Sequence, residues 1–352
     1  MKITLDESRK NPMTLRFGLR VPTVGSPQDT AAYASEVEAA GFDFMWMPDT
    51  PLLAGRWRDV YMHLGAAALA TSKVRLGPGV TNPLTRHPLT TASTIATLDD
   101  ASEGRADLVV GTGYSSAYII DRKAATLVDM SDSVVLWRSL YCGAPTELGG
   151  LQVTLDPAYP GLPIIIAATG PKMLALAGRI ADGVLIHVGA APGAVAWALE
   201  HLEAGIAEAG RAPGDVQRIV VLTACIDDDR DRAIEQMRPC AAGLCRHRHA
   251  DVLFGRAGLQ APAIPADYRE PYPDLGHAVD WEAAKRAASY VPDAAVEACI
   301  ALGSGAEVAE RVRALAVLDI DAIWWRDEAT WSRPDALMQG LTSDVLPRLR
   351  NQ

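Results

Sequence analysis

The stretch that decides the fold is PIIIAATGPKMLALAGRIADGVLIHV (163–188). An apolar, β-branched run (PIIIAA, 163–168) meets Thr169-Gly170-Pro171. An amphipathic segment follows with Met173, Leu176, Ala177 and Ile180 on one face, and a second apolar run, GVLIHV (183–188), closes the unit. A continuous apolar run gives way to helical spacing and then returns, which is the pattern of two parallel strands joined by a crossover helix. Both strand runs lack polar alternation, so each is covered on two faces.

The same rhythm extends in both directions. Upstream, strands are predicted at 16–21, 42–47, 73–79 and 105–111, with helices at 27–41, 58–71, 89–103 and about 122–141, and a short edge strand near 151–155. Downstream, RIVVLTAC (218–225) and DIDAIWW (319–325) are the seventh and eighth main strands, the last preceded by a helix over 304–317. Eight apolar strands alternating with helices, none with the half-polar look of a sheet edge, predict a TIM (β/α)8 barrel with an insertion before the last strand. Residues 14–350 are expected to form one domain after a disordered tail at 1–13. The excursion over 239–303 is too long for one crossover and is expected to help cover the barrel mouth.

Composition narrows the function. Of 352 residues 49% are hydrophobic and 22% charged, as in a globular chain with a large core. A net charge of −10 with no basic run excludes nucleic-acid and anionic-membrane partners. No apolar run reaches the length needed to span a bilayer. The opening MKITLDESRKNP has no apolar stretch behind it to make a secretory signal, and five scattered cysteines are no disulfide framework. A cytoplasmic protein is the expectation.

A barrel carries its chemistry at the C-terminal ends of its strands. Those ends supply Asp49, Gly79-Val80-Thr81-Asn82, Gly111-Thr112-Gly113, Thr169-Gly170-Pro171-Lys172, His187 and Trp324-Trp325-Arg326. They offer glycine, hydroxyls and amides, but neither paired carboxylates nor a nucleophile beside a base. Such a mouth suits a large flat ligand that brings its own reactivity. Thr169–Lys172 reads either as an anion site at a helix N-terminus or as an ordinary helix start with a surface lysine. Gly111–Gly113 is a second patch of backbone donors or a tight turn, and Asp49 is a helix cap or a polar ligand contact. His187 is read as a pocket residue, whereas His87 is expected to fix its loop. The run CAAGLCRHRH (240–249) does not return its cysteines to one helical face, so no metal site is expected there. The acidic Asp227–Asp231 cluster reads as a solvated helix start.

The irregular GPGVTNPLTRHPL (77–89), with DLVVGTG (107–113) and TGPKMLALAGRIADGVLI (169–186) at these spacings, resembles the bacterial luciferase-like superfamily. Its deazaflavin-dependent reductase branch, related to methylenetetrahydromethanopterin reductase, is the most similar, and the resemblance covers about residues 14–350. It implies a non-prolyl cis peptide at Gly79-Val80, in a bulge that presses on the middle ring of a flavin or deazaflavin. It also implies that Asp49 meets the ring edge, that Thr112 and Gly113 line the tail, and that Thr169, Gly170, Pro171 and Lys172 meet the phosphate; Thr81 and Gly111 are expected cofactor-binding residues beside them. Asp49 and His187 are the residues expected to be catalytic, His187 on its strand-end position.

The resemblance further implies an oxidoreductase using coenzyme F420 on a small unsaturated C=N or C=C substrate, in an apolar mouth with Trp46, Trp324 and Trp325, and a homodimer. Deazaflavin users of the superfamily often carry histidine after the aspartate, where this chain has Thr50. Two alternatives therefore stay open: an FMN-dependent two-component monooxygenase with a separate flavin reductase, and a non-catalytic flavin-binding protein.

Overall fold

A computed structural model describes residues 15–328 and 330–350. The tail expected at 1–13 lies outside the described residues. In chain order the elements are β1 (Arg16–Arg20), α1 (Pro27–Ala39), β2 (Phe44–Met47), α2 (Val60–Ala70), β3 (Arg75–Pro78), α3 (Pro88–Ala101) and β4 (Leu108–Val110). Then come α4 (Tyr114–Ile119), α5 (Leu127–Tyr141), the hairpin β5 (Thr146–Leu148) and β6 (Leu151–Val153), β7 (Ile164–Ala168), α6 (Pro171–Ile180) and β8 (Gly183–Ile186). The remainder is α7 (Pro192–Glu208), β9 (Gln217–Ile226), α8 (Arg230–Cys245), α9 (Ala250–Arg256), α10 (Trp281–Ala287), α11 (Asp293–Cys299), β10 (Ala301–Gly303), α12 (Gly305–Ala316), β11 (Ala322–Arg326), α13 (Asp335–Gly340) and α14 (Leu346–Arg350).

The main sheet runs β3-β2-β1-β11-β9-β8-β7-β4, with parallel pairing throughout. Parallel bridges Leu76–Ala106 and Thr81–Val110 join its two ends and close the round. Between those bridges β3 takes five steps where β4 takes four. One extra residue is thus accommodated, and the chain bulges over 77–80. Two close approaches make this possible. A Cβ on Gly77 would lie 2.4 Å from the Asp107 carbonyl oxygen, and one on Gly79 would lie 2.7 Å from Trp46 Cβ.

Strand alternation builds two cores. Phe44, Trp46, Val109, Ile165, Ile219 and Trp324 point into the barrel, while Met45, Met47, Val110, Ile164 and Ile166 face the helices. Gly18 pairs with Phe44 in register, and a side chain there would meet the Phe44 ring at 2.0 Å. Glycine at that inward position of β1 therefore leaves the ring its space. Outside, α6 and α7 touch backbone to backbone through Gly178 and Gly205.

Several boundaries differ from the sequence reading, each for a local reason. The helix expected over 122–141 begins at Leu127, where Thr126 and Asp129 form a capping box, and a separate helix, α4, stands before it. The lone edge strand near 151–155 is half of the hairpin β5–β6. Helix α8 continues through Pro239, so the segment before the last barrel strand leaves the helical layer only after Cys245. It returns as β10, which pairs in parallel with the C-terminal end of β9.

Candidate active site

The C-terminal strand ends surround a cavity of about 760 Å³, within the usual range for small-ligand sites. Its floor is apolar: Val80 from the bulge, Ala167, Leu185, Val221 and Trp324. All but Val80 are inward positions in the C-terminal halves of their strands or close to them. One step further out come Arg20, Gly111, Thr169, His187 and Arg326.

The floor is braced from behind. The peptide between Gly79 and Val80 is cis, where the resemblance implied it. Gly79 N donates to Met47 O, and Thr81 N donates to Val109 O, so the bulge is tied to both neighbouring strands. Thr81 Oγ1 donates to Asp49 Oδ2 at 2.8 Å, and Arg86 Nε lies 3.7 Å from the same oxygen. Arg86 also pairs with Asp59, which caps α2, and stacks over Tyr61 at 4.5 Å. Asn82 Oδ1 accepts from Leu84 N and Thr85 N, an Asx turn, while its amide reaches Ser116 Oγ. Thr81, Asn82 and Arg86 thus each tether the irregular stretch after β3 by a side chain. His87 caps α3 by accepting from Leu89 N, so it fixes its loop as expected.

Among the expected site residues, Gly79, Val80, Gly111, Thr112, Gly113, Thr169, Gly170, Lys172 and His187 lie on the cavity wall. Asp49, Thr81 and Pro171 do not. Asp49 is 2% exposed and Thr81 fully buried, with their side chains engaged with each other behind the bulge. Asp49 thus stands behind the wall, with Pro48 and Thr50 lining the cavity on either side of it. Burial raises the Asp49 carboxyl above its ordinary pKa, against the pull of Arg86 and Thr81. Pro171 is the first residue of α6.

The expected tryptophan lining also needs correction. Trp324 is on the wall, but Trp46 sits lower in the barrel with Nε1 on Asp107 at 2.9 Å, and Trp325 is packed among the outer helices. Successive residues of one strand point to opposite faces, so Trp324 and Trp325 cannot both face the ligand. The aromatic wall is completed instead by Trp57, whose Nε1 donates to Thr330 O and whose ring meets His277 edge-on.

Backbone and charge converge at one rim. Gly113 has φ +77° and stands before α4, where a side chain would strike Asn82. Gly170 precedes α6 and is approached so closely by His249 that a Cβ would lie 2.9 Å from its Nε2. Lys172, His247 and Arg248 stand beside them on the wall. Of the CAAGLCRHRH run, Cys245 is buried in the core, and among the described residues no three His, Cys, Asp or Glu side chains gather as a metal site. His187 is held neutral: burial first, then Arg326 and His247, push its pKa down to about 3.

Arg20, Trp57, His247, Arg248 and His277 escaped the sequence reading, and Arg326 was noted only as a strand end. For the two arginines a signal existed, since each continues the inward alternation of its strand. For the others no signal existed, because loop contacts bring them in.

A family model described as luciferase-like monooxygenase matches residues 13–321. The chain belongs to that family. As a luciferase-like protein it is an oxidoreductase. It is 31% identical over 312 residues to the 5,10-methylenetetrahydromethanopterin reductase of Archaeoglobus fulgidus, covering 86% of this chain and 90% of that one. It is 32% identical to an F420-dependent glucose-6-phosphate dehydrogenase of Nakamurella multipartita, over 66% of this chain and 74% of that one. Among solved structures, the coenzyme F420-dependent tetrahydromethanopterin reductase of Methanopyrus kandleri superposes with a TM-score of 0.77 at 24% identity. That match spans 95% of this chain and 99% of the other, and shows the shared fold. Among the described residues no helix is long and apolar enough to cross a membrane.

Proposed function

We propose that this luciferase-like protein is an F420-dependent oxidoreductase acting on a small substrate with a C=C or C=N bond. The observation that carries the reading is the cavity itself. It has an apolar floor, a glycine-rich cradle with Lys172 and Arg248 at one rim, and no carboxylate on its wall among the described residues. A flat, anionic redox cofactor meets each of these features: ring on the floor, tail along Gly111–Gly113, phosphate by Thr169, Gly170 and Lys172.

When bound and reduced, the deazaflavin supplies a hydride; the substrate gains it with one proton, and the cofactor is oxidised by two electrons. The protein contributes position. Val80, held by the Gly79 close approach and by Thr81 on Asp49, forms a stiff β-branched knob on the floor that would support the ring. Ala167, Leu185 and Val221 keep the floor dry. His187 is a neutral imidazole at pH 7, so it hydrogen-bonds the acceptor atom and holds no spare proton. The proton arrives from solvent through the mouth. Thr50 occupies the wall position beside Asp49. The segment after α8 supplies His247, Arg248 and His277 and covers part of the opening.

The test is a titration of the purified protein with F420 and with FMN, followed by anaerobic and aerobic reoxidation of each reduced complex. The proposal expects uptake of F420 and oxygen-insensitive discharge by an unsaturated acceptor. Tight FMN binding, no F420 uptake and discharge by oxygen would replace it with a monooxygenase. A bound cofactor that no acceptor discharges would leave a carrier.

A further inference from the structure

The chain carries ten more negative than positive charges, yet the cavity wall holds Arg20, Lys172, Arg248 and Arg326, with three histidines and no Asp or Glu among the described residues. The cations fall into two groups. Lys172 follows β7, and Arg248 lies within reach of Gly170, before α6. Arg20 and Arg326 end β1 and β11, which are neighbours in the sheet. Going round the barrel, β2 and β3 separate β1 from β4, and β9 and β8 separate β11 from β7. The two groups therefore stand on opposite rims. An anionic tail seated at the Lys172 rim leaves the far rim to something else.

The far rim is built to hold charge. Arg20 is 6% exposed and stacks over Trp57 at 5.8 Å. Burial and the neighbouring Arg326 lower its pKa to about 9, while Asp327 acts in the opposite sense. Arg326 reaches the cavity with its Nε buried and without a hydrogen-bond partner among the described residues. Buried guanidinium N–H groups are ordinarily satisfied, so this orphan marks a guanidinium that the protein itself leaves uncommitted at the cavity wall.

From this we infer that Arg326, seconded by Arg20, is a recognition subsite for a carboxylate on the substrate, so that the acceptor is a small unsaturated acid. A carboxylate suits the site better than a phosphate. No helix starts directly after β1 or β11 to add N–H donors, and one planar guanidinium fork matches two coplanar oxygens. Trp57, on the wall beneath Arg20, takes the apolar body of the acid. The inference rests on the oxidoreductase reading for the role of the acid as acceptor, but the subsite itself does not.

Calorimetry with trans-cinnamate and methyl trans-cinnamate, on cofactor-free enzyme and on enzyme loaded with F420, tests it. The acid is expected to bind at least tenfold more tightly than the ester, as a charge-assisted hydrogen bond allows. Arg326→Met should abolish that preference and Arg326→Lys should keep part of it. Lys172→Met should leave it intact while weakening F420. Equal binding of acid and ester by the wild type, no acid binding at millimolar concentration, or an Arg326→Met variant that weakens both probes alike would overturn the inference. So would an Arg326→Met variant that loses F420 and not the acid. Acid selectivity through Arg326 in a protein that takes up neither F420 nor FMN would sink the oxidoreductase proposal and leave the subsite standing.

Discussion

Gly111→Ala tests the floor of the cavity at its tightest point. Gly111 is not in the left-handed region, so its backbone accepts alanine and only the new methyl matters. That methyl would lie 2.8 Å from Val80 Cγ2, with Ala167 Cβ at an ordinary 3.6 Å. Carbon atoms prefer roughly 3.5–4.0 Å, so one side must yield by about 1 Å. Val80 cannot rotate away cheaply, because its branched side chain has few χ1 wells. Overpacking of this kind costs about 1–3 kcal/mol. Val80→Ala alone should cost about 1 kcal/mol at this half-buried site, from two lost methyl contacts.

The double variant decides the matter. If Val80 is the atom struck, Gly111→Ala/Val80→Ala should be no less stable than Val80→Ala, a coupling of about 1–3 kcal/mol in urea unfolding at constant m-value. The same Gly111→Ala change should weaken F420 or FMN uptake, since Val80 is pushed toward the cavity, and Val80→Ala should restore part of it. Additive losses of stability, or a Gly111→Ala variant with unaltered stability and cofactor uptake, would refute the account of the bulge as a support.

Thr81→Val removes the donor to buried Asp49; a loss of about 1.5–3 kcal/mol is expected in urea titrations, and a change under 0.5 kcal/mol would contradict the bracing role. His187 has a folded pKa of about 3 against an ordinary 6.5. Below pH 6.5 the unfolded chain therefore binds the extra proton, and His187's contribution is lost as pH falls from 6.5 toward 3. His187→Gln should flatten the acid side of the stability–pH profile by up to about 1.4 kcal/mol per pH unit, and an unchanged slope would count against an imidazole held neutral. Gly178→Ala would set a methyl 2.4 Å from Leu202 O and force α6 from α7; thermal unfolding should show a loss of about 1–3 kcal/mol while the choice between F420 and FMN stays as in the wild type.

Much of the architecture is readable along the chain because it is periodic. Strands of 163–168 and 183–188 with the helix between them follow from apolar runs flanking an amphipathic segment, and the glycines at 79, 111, 113 and 170 mark close backbone approaches before any partner is known. The misses share a cause. Trp46 and Trp325 were expected beside the ligand, but depth in the barrel and the side of the strand put one beneath the floor and the other in the outer layer. That Asp49 stands behind the wall was not readable either, since its partner Thr81 lies 32 residues on. Trp57, Arg248 and His277 arrive from loops whose docking no local pattern encodes.

Sequence alone determined the strand–helix order, the count of barrel strands and the segments that end at the mouth, since each depends on interactions within a dozen or so residues. The closed structure decided which residues share a rim. It seated Arg20 beside Arg326 at the meeting of the first and last strands and set both opposite Lys172. That arrangement arises only when distant ends of the chain pair and close the sheet, so no window of sequence contains it.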